Sequence, residues 1–171
     1  MPRQSDSVIG IVTDLGPSSW IVNINSPYPA LLHINEVPWK VDFGDTANFI
    51  SVGDVILTKI TNVDEIKRVG LTLKEHGLRK LDGGELVKIP YIRVPGVIGR
   101  GGAMITLLKQ STDTRMFVGQ NGYIWIDGEM ESINLVREAI KIIEADILGG
   151  DLTGEIKELL AGSVPKTEVE Q

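Results

Sequence analysis

The stretch Val97-Ile98-Gly99-Arg100-Gly101-Gly102-Ala103-Met104-Ile105-Thr106-Leu107-Leu108 decides how the second half of this chain is interpreted. A β-branched pair leads into three glycines and an arginine, and apolar residues at helical spacing follow. This pattern predicts a tight loop that opens a helix. Glycines let a phosphate approach the backbone, and the unpaired N–H groups at a helix start attract anions.

Other phosphate-binding motifs do not fit this loop. No Gly-Lys-Ser/Thr follows, which excludes a P-loop, and Met104 stands where a dinucleotide-binding motif has its third glycine. Two interpretations remain: a turn without a ligand, or a loop that clamps the backbone of a phosphate polymer. In the second, Gly99, Arg100, Gly101 and Gly102 are the binding residues, with Arg100 and the N–H groups of Gly101 and Gly102 holding phosphates.

The pattern V-I-G-x-x-G-x-x-I-x-x-L resembles the G-x-x-G loop of the KH RNA-binding domain. The elements predicted around it are a strand at 88–94, a helix at 102–111, strands at 115–118 and 123–126, a helix at 129–148 and a short helix at 153–160. This order resembles a type I KH domain, which we place at 88–160. Residues 161–171 are predicted to be a disordered acidic tail.

The first half of the chain predicts a small barrel of five strands, at 8–13, 20–24, 30–34, 54–63 and 69–73. Its motifs resemble an S1-type OB-fold RNA-binding domain over 7–75: Gly10-Ile11-Val12, Leu31-Leu32-His33-Ile34-Asn35, Val52-Gly53-Asp54-Val55 and Leu71-Thr72-Leu73-Lys74. The resemblance implies RNA contacts at Trp20, His33, Lys59 and Arg68. We expect a flexible lead at 1–6, an ordered junction at 76–87 and an α+β fold overall.

Composition narrows the functional class. The chain has 171 residues and no cysteine, which excludes disulfides and zinc–thiolate sites. It has no signal peptide and no long apolar span, so we expect a cytoplasmic protein without a membrane partner. The net charge is −6, and residues 129–171 hold ten Asp+Glu against four Lys+Arg. Electrostatic affinity for nucleic acid is therefore modest.

The predicted hairpin around Gly119-Gln120-Asn121-Gly122 separates two faces. A three-residue loop at 120–122, with Gly122 left-handed, points Met116, Val118, Ile124 and Ile126 towards the helices. The other face then carries Arg115 and three aromatic residues, Phe117, Tyr123 and Trp125. Either the neighbouring barrel covers these aromatics, or RNA bases stack on them.

The order of barrel and KH domain, with Gly119-Gln120-Asn121-Gly122 and Asn25-Ser26-Pro27-Tyr28-Pro29, resembles the archaeal S1/KH RNA-binding cap subunit of the exosome. The resemblance implies that Gly119, Asn121 and Gly122 are structural, at the meeting of the two domains. It implies a non-catalytic protein without cofactor or metal, which binds single-stranded RNA. Its implied partners are the hexameric phosphorolytic ring and the other subunits of a trimeric cap. Family members carry a further N-terminal domain, which we expect this chain to lack.

Two other functional classes remain open. A transcription elongation or antitermination factor of the S1–KH–KH type would need a second KH unit. An RNA-degrading enzyme would need a catalytic constellation, and the two histidines, His33 and His76, have no metal-ligating neighbours at useful spacing.

Overall fold

The computed structural model describes residues 3–145 and 153–161. The chain divides into two compact units. The first comprises residues 1–83 together with 118–123, and the second comprises 84–117 and 124–171. The first unit is therefore discontinuous in sequence, because a short segment from the second half of the chain belongs to it.

The first unit is a closed β-barrel. Its five strands are β1 (Ser7–Leu15), β2 (Ser19–Asn23), β3 (Ala30–His33), β4 (Val55–Val63) and β5 (Val69–Thr72). They hydrogen bond in the order β1-β2-β3-β5-β4, and antiparallel pairing of β1 with β4 closes the ring. The five predicted strands are confirmed, with ends that agree within two residues.

Alternation of apolar and polar residues along the strands builds the barrel interior. In β2, for example, Trp20 and Val22 point inward and are buried, while Ile21 is exposed. Register shifts between Val12 and Asp14 and between Ile60 and Asn62 bend the two longest strands, as closure of a small barrel requires. The buried core consists of Val8, Val12, Trp20, Val22, Ile24, Ala30, Leu32, Val37, Val41, Ile50, Ile56, Ile60, Val69, Leu71 and Leu73.

A sixth strand, β6 (Arg79–Leu81), lies within the predicted junction and pairs antiparallel with β4. Its register places Leu81 opposite Val55 and Arg79 opposite Leu57. Only Leu81 is buried. The junction therefore adds a short strand to the barrel sheet, which the polar sequence of this segment does not indicate.

Within its described residues, the second unit has a three-stranded sheet and four α-helices. Its elements in chain order are β7 (Glu85–Lys88), α1 (Val94–Ile98), α2 (Ala103–Thr112), β8 (Arg115–Val118), β9 (Tyr123–Asp127), α3 (Met130–Ala145) and α4 (Thr153–Ala161). The strand order is β7-β9-β8. The unit is thus an α/β layer in which β9 is the central strand.

The predicted strand at 88–94 is wrong. The strand ends at Lys88, a 3₁₀ turn follows over Tyr91–Arg93, and α1 begins at Val94. Pro95 lies in the first turn of α1, where its fixed φ suits the helix and its missing N–H costs nothing. Val94, the last residue of the predicted strand, begins α1. Two helices therefore flank the glycine loop, where the sequence predicted one.

The other predicted elements of the second unit agree with the structure within two residues where they are described. The hairpin turns through Gly122, whose φ is +94°, as predicted. On α3 the predicted apolar stripe is buried at Ile133, Val136, Ile140 and Ile143. The predicted helix end at Leu148, its stop at Gly149-Gly150, the stripe residue Ile147, residues 1–2 of the lead and nearly all of the tail lie outside the described residues.

Candidate nucleic-acid interface

The glycine loop joins α1 to α2 with a backbone that requires glycine. Gly99 has φ +77° and ψ 173°, Gly101 has φ +61°, and Gly102 has φ +81° at the start of α2. All three φ values are positive, which L side chains adopt at a cost. The loop therefore turns within four residues and directs the start of α2 to the surface.

The space around the three glycines differs. A Cβ on Gly99 would lie 2.6 Å from both the backbone N and the Cβ of Met104. Nothing lies within 4 Å of a Cβ built on Gly101 or Gly102. Gly99 is therefore a packing glycine at the base of the loop, whereas Gly101 and Gly102 border open space that a ligand can enter.

Arg100 and Gly101 are exposed at the loop tip. The Gly102 N–H donates to the Gly99 carbonyl oxygen at 3.2 Å, which holds the turn together. Of the two N–H groups expected to hold phosphate, that of Gly102 is therefore already engaged in the loop. The expected phosphate contacts that remain are the Arg100 guanidinium and the Gly101 N–H, and their role stays a prediction.

The charge around the loop is favourable for an anion. Residues 91–112 carry Arg93, Arg100 and Lys109 and no carboxylate. The whole chain has a net charge of −6. Residues 91–112 are therefore a cationic stretch of sequence in an acidic protein.

On the barrel, Trp20 is a core residue. Its side chain is 0 % exposed, and its indole N–H donates to the Ile50 carbonyl oxygen at 3.0 Å. A ring in this position cannot stack on a base from outside. The burial of Trp20 therefore speaks against the expected RNA contact, and its place at the head of β2 is a packing position.

The other three barrel candidates lie at the surface, but each has a protein partner. His33 is exposed, and its Nδ1 accepts the Asn35 N–H at 3.1 Å. Lys59 Nζ lies 2.9 Å from Glu75 Oε1, and Arg68 Nε lies 3.0 Å from Asp64 Oδ2. The two cations are thus partly neutralised, and a phosphate would compete with carboxylates for them.

The β4–β5 turn is organised by Asp64. Its carboxylate accepts the backbone N–H groups of Arg68 and Ile66, at 2.8 and 3.1 Å, and the Arg68 guanidinium. The Arg68 backbone bond is the largest of the effects that hold the pKa of Asp64 below its ordinary value, and the guanidinium acts in the same direction. Asp64 therefore holds the backbone of the turn, and the exposed Arg68 side chain forms an ion pair with it.

The hairpin turn at 119–122 belongs to the first unit and is held by Asn121. The Asn121 amide donates to the carbonyl oxygens of Ile9 and Ile24, at 2.8 and 2.7 Å. Asn25 Nδ2 donates in turn to the Asn121 carbonyl oxygen at 2.8 Å. A Cβ on Gly119 would meet the Asn121 side chain and lie 2.8 Å from the Ile9 nitrogen. The turn is therefore a structural contact of the barrel unit.

The aromatic face of the hairpin is largely closed to solvent. Trp125 is 1 % exposed and Tyr123 6 %. Phe117 stacks on Trp125 with ring centroids 5.7 Å apart, and the Arg115 guanidinium lies 5.4 Å from the Trp125 ring centroid. Rings as buried as Tyr123 and Trp125 offer no face to an RNA base. That the barrel domain supplies their cover stays a prediction.

Sequence reasoning missed a second aromatic group, in the segment between β3 and β4. Trp39, Phe43 and Phe49 are 40 %, 75 % and 37 % exposed. The only signal was the presence of three aromatic residues in a segment without strand or helix periodicity, and exposure cannot be read from such a segment.

Two other features, a metal-ion cluster and a membrane-spanning helix, are not found among the described residues. These residues contain no group of three or more His, Asp or Glu side chains placed to hold a metal ion. None of the described helices is long and apolar enough to cross a bilayer.

Known proteins that are similar to this chain include components of the exosome. No family model matches the chain. Exosome complex component Rrp4 of Thermoplasma acidophilum is 48 % identical over 160 residues, which cover 94 % of this chain and 68 % of the relative. The Rrp4 of Picrophilus torridus is 43 % identical over 175 residues, which cover 100 % and 76 %.

A solved structure agrees with these relatives. A crystal structure whose description provisionally calls it an exosome complex RNA-binding protein superposes with a TM-score of 0.83 at 29 % identity, covering 100 % of this chain and 98 % of that one. Fold and loop thus define a protein of the class in which an OB-fold barrel precedes an α/β unit with a glycine loop. The chain belongs to the Rrp4 family of exosome complex components. The resemblance seen in the sequence is confirmed.

Proposed function

We propose that this chain is a non-catalytic RNA-binding component of the exosome in the cytoplasm. It binds single-stranded RNA through the glycine loop and delivers it to the phosphorolytic 3′-5′ exoribonuclease ring, beside the other subunits of a trimeric cap. In this proposal the first unit is an S1-type domain at 7–75, and 88–160 form a type I KH domain. The names of the relatives support the exosome role.

The observation that carries the RNA site is the loop itself. Gly101 and Gly102 border open space, and Arg100 stands exposed between α1 and α2. The order strand, helix, glycine loop, helix, strand, strand, helix is that of KH domains, which clamp about four nucleotides by their backbone at this loop. Backbone clamping explains why the loop needs glycines and one cation rather than a set of base-reading side chains.

The barrel contributes secondary contacts in this proposal. His33 is exposed, while Lys59 and Arg68 must first exchange a carboxylate for a phosphate. Exposed ion pairs of this kind are worth about 0–1 kcal/mol, so the exchange is inexpensive. The barrel therefore adds to affinity without fixing the RNA by itself.

The test is RNA binding by fluorescence anisotropy, with single-stranded and duplex RNA at several salt concentrations. We expect the double variant Arg100→Asp/Gly101→Asp to lose single-strand binding by about tenfold or more, because charge-assisted phosphate contacts are removed and repulsion is added. Both positions are exposed, and Asp tolerates the left-handed backbone of Gly101 better than most residues.

A matched control is Lys74→Asp/Gly77→Asp on the barrel. It changes the charge by the same amount, and Gly77 likewise has positive φ and open space around it. Equal binding by the two variants would contradict the loop assignment. Phosphate-dependent shortening of RNA by the isolated chain would contradict the non-catalytic role.

A further inference from the structure

The segment between β3 and β4, which we call the aromatic flap (residues 37–52), is fastened to one end of the barrel. The Trp20 indole N–H donates to the Ile50 carbonyl oxygen, and Thr46 Oγ1 donates to the Gly16 carbonyl oxygen at 2.7 Å. The Gly44 N–H donates to the Pro17 carbonyl oxygen at 2.8 Å. These bonds hold the flap in one conformation over the β1–β2 loop.

The flap buries its aliphatic residues and exposes its aromatic ones. Val37, Val41 and Ile50 are 3 %, 8 % and 0 % exposed. Trp39 stacks on Phe49 with ring centroids 6.1 Å apart and an interplanar angle of 19°. Phe43 is 75 % exposed, and Val52, the last residue of the flap and the exception among its aliphatic residues, is 57 % exposed. Val37, Val41 and Ile50 therefore belong to the barrel core, whereas the larger aromatic side chains of the flap remain exposed to solvent.

Such an arrangement is typical of a contact surface. Exposed aromatic residues that cluster on a rigid support are the residues enriched at the centres of protein–protein interfaces. The hydrogen bonds of the flap mean that little conformational entropy is lost on docking.

The charged residues in and beside the flap indicate which kind of partner can bind to it. Glu36, Asp42 and Asp45 lie close to the aromatics in the sequence, and Asp42 and Asp45 belong to the same turn as Phe43. Lys40 is the one cation from 35 to 52. Asp42 and Asp45 form no ion pair within the described parts of the chain. Single-stranded nucleic acid needs aromatic stacking together with a cationic groove, which an acidic rim does not supply. A second copy of a chain with net charge −6 would present the same acidic rim.

We propose that the aromatic flap is a docking surface for another protein of the exosome, which meets it with an apolar cleft edged by lysine and arginine. Trp39, Phe43 and Phe49 enter the cleft, and Asp42 and Asp45 face the basic edge. The inference rests on the proposed function, since it requires that the chain assembles into the complex. It adds an attachment surface on the barrel that is separate from the glycine loop.

The first experiment measures binding of the labelled full chain to the exosome of the same organism purified without this subunit. Phe43→Ala should weaken this binding by about tenfold or more, as loss of an interface anchor does. Ile66→Ala is the matched control, because Ile66 is 68 % exposed on the barrel but lies in the β4–β5 turn, outside the flap. Since both side chains are exposed, neither change should affect folding.

The second experiment identifies the occupant. A photoreactive benzoylphenylalanine in place of Phe43 should cross-link, in the assembled complex with RNA present, to an apolar segment of another protein flanked by Lys or Arg. Cross-links to RNA or to a second copy of this chain would overturn the proposal.

The outcomes separate the two proposals. If the unmodified chain joins the complex and Phe43→Ala binds as well as Ile66→Ala, the flap proposal fails and the proposed function stands. If the unmodified chain does not join, both fail. If Phe43→Ala impairs assembly but leaves RNA binding by the isolated chain unchanged, the flap is an attachment surface independent of the RNA loop.

Discussion

Asn121 holds the hairpin turn in place through nearly every polar atom that it has. Both amide protons bind carbonyl oxygens of the barrel, those of Ile9 and Ile24, and its backbone carbonyl accepts from Asn25. The Ile9 N–H approaches Asn121 Oδ1 at 3.4 Å. Asparagine suits this position because its short side chain supplies two N–H donors and one oxygen acceptor.

Replacement of Asn121 should therefore destabilise the protein more than its partly exposed position suggests. We expect Asn121→Ala to lower the free energy of unfolding by about 2–3 kcal/mol, since two carbonyl oxygens lose their donors. Asn121→Asp should cost more, because a carboxylate would face the same two oxygens. Urea denaturation measures both, and Asn48→Ala, at an exposed position, is the control. A cost for Asn121→Ala no larger than for the control would contradict this role.

The burial of Tyr123 predicts that the free energy of unfolding falls at alkaline pH. Burial raises the pKa of its phenol above the ordinary 10.0, and a hydrogen bond with Asn23 opposes this only in part. The folded state therefore keeps its proton at a pH where the unfolded state has lost it. The stabilisation is complete below pH 10 and is lost as the pH rises through the folded-state pKa.

The measurement is the urea midpoint between about pH 8 and pH 11, a range that spans tyrosine ionisation. We expect Tyr123→Phe to flatten the fall of the midpoint at high pH, while Tyr91→Phe, at a position 63 % exposed, leaves it unchanged. Parallel profiles for the native protein and Tyr123→Phe would show that the phenol is not linked to unfolding.

Trp20 and Phe43 show which properties of a residue could not be predicted from the sequence. The S1 resemblance implies an RNA contact at Trp20, but alternation along β2 turns its ring into the core. Phe43 lies in a segment without periodicity, so that no pattern predicted its exposure. Local sequence specifies that a residue is apolar, whereas the neighbours that cover it come from distant parts of the chain.

At the scale of elements, the connection between α1 and α2 depends on one glycine more than on the others. Gly99 combines φ +77° and ψ 173° with close contact to Met104, whereas Gly101 has an ordinary left-handed conformation in open space. We expect Gly99→Ala to lower the free energy of unfolding by about 2–3 kcal/mol, from strain and overlap together. Gly101→Ala should cost about 1 kcal/mol. Thermal and urea denaturation followed by circular dichroism would measure both, and equal costs would contradict the distinction.

Most elements could be predicted because their periodicity is strong. The strands of the barrel alternate, and α3 carries an apolar stripe at helical spacing. The failures have physical causes. Residues 89–98 are rich in β-branched side chains but contain two prolines, and Pro95 favours the first turn of a helix. β6 has only three residues, and its pairing with β4 is a tertiary contact that no local pattern reports.

At the scale of the whole molecule, charge is distributed so that an acidic protein keeps a cationic site. Residues 91–112 hold three cations and no carboxylate, whereas residues 129–171 hold ten Asp+Glu and four Lys+Arg. In the proposed RNA complex few cations would meet the phosphates of one strand, so we expect the affinity of a single copy to be modest. Several copies acting on one RNA would raise the effective affinity without any new contact.

The hairpin turn at 118–123 has a consequence for synthesis of the protein. The barrel unit otherwise ends at residue 83, yet the Asn121 bonds to Ile9 and Ile24 span 112 and 97 residues of sequence. A nascent chain cannot complete this unit until residue 123 has emerged from the ribosome. Contacts so distant in sequence raise the contact order and slow folding. A fragment that ends at residue 83 would therefore be an incomplete barrel unit. In it the carbonyl oxygens of Ile9 and Ile24 would lack the hydrogen-bond donors that Asn121 supplies.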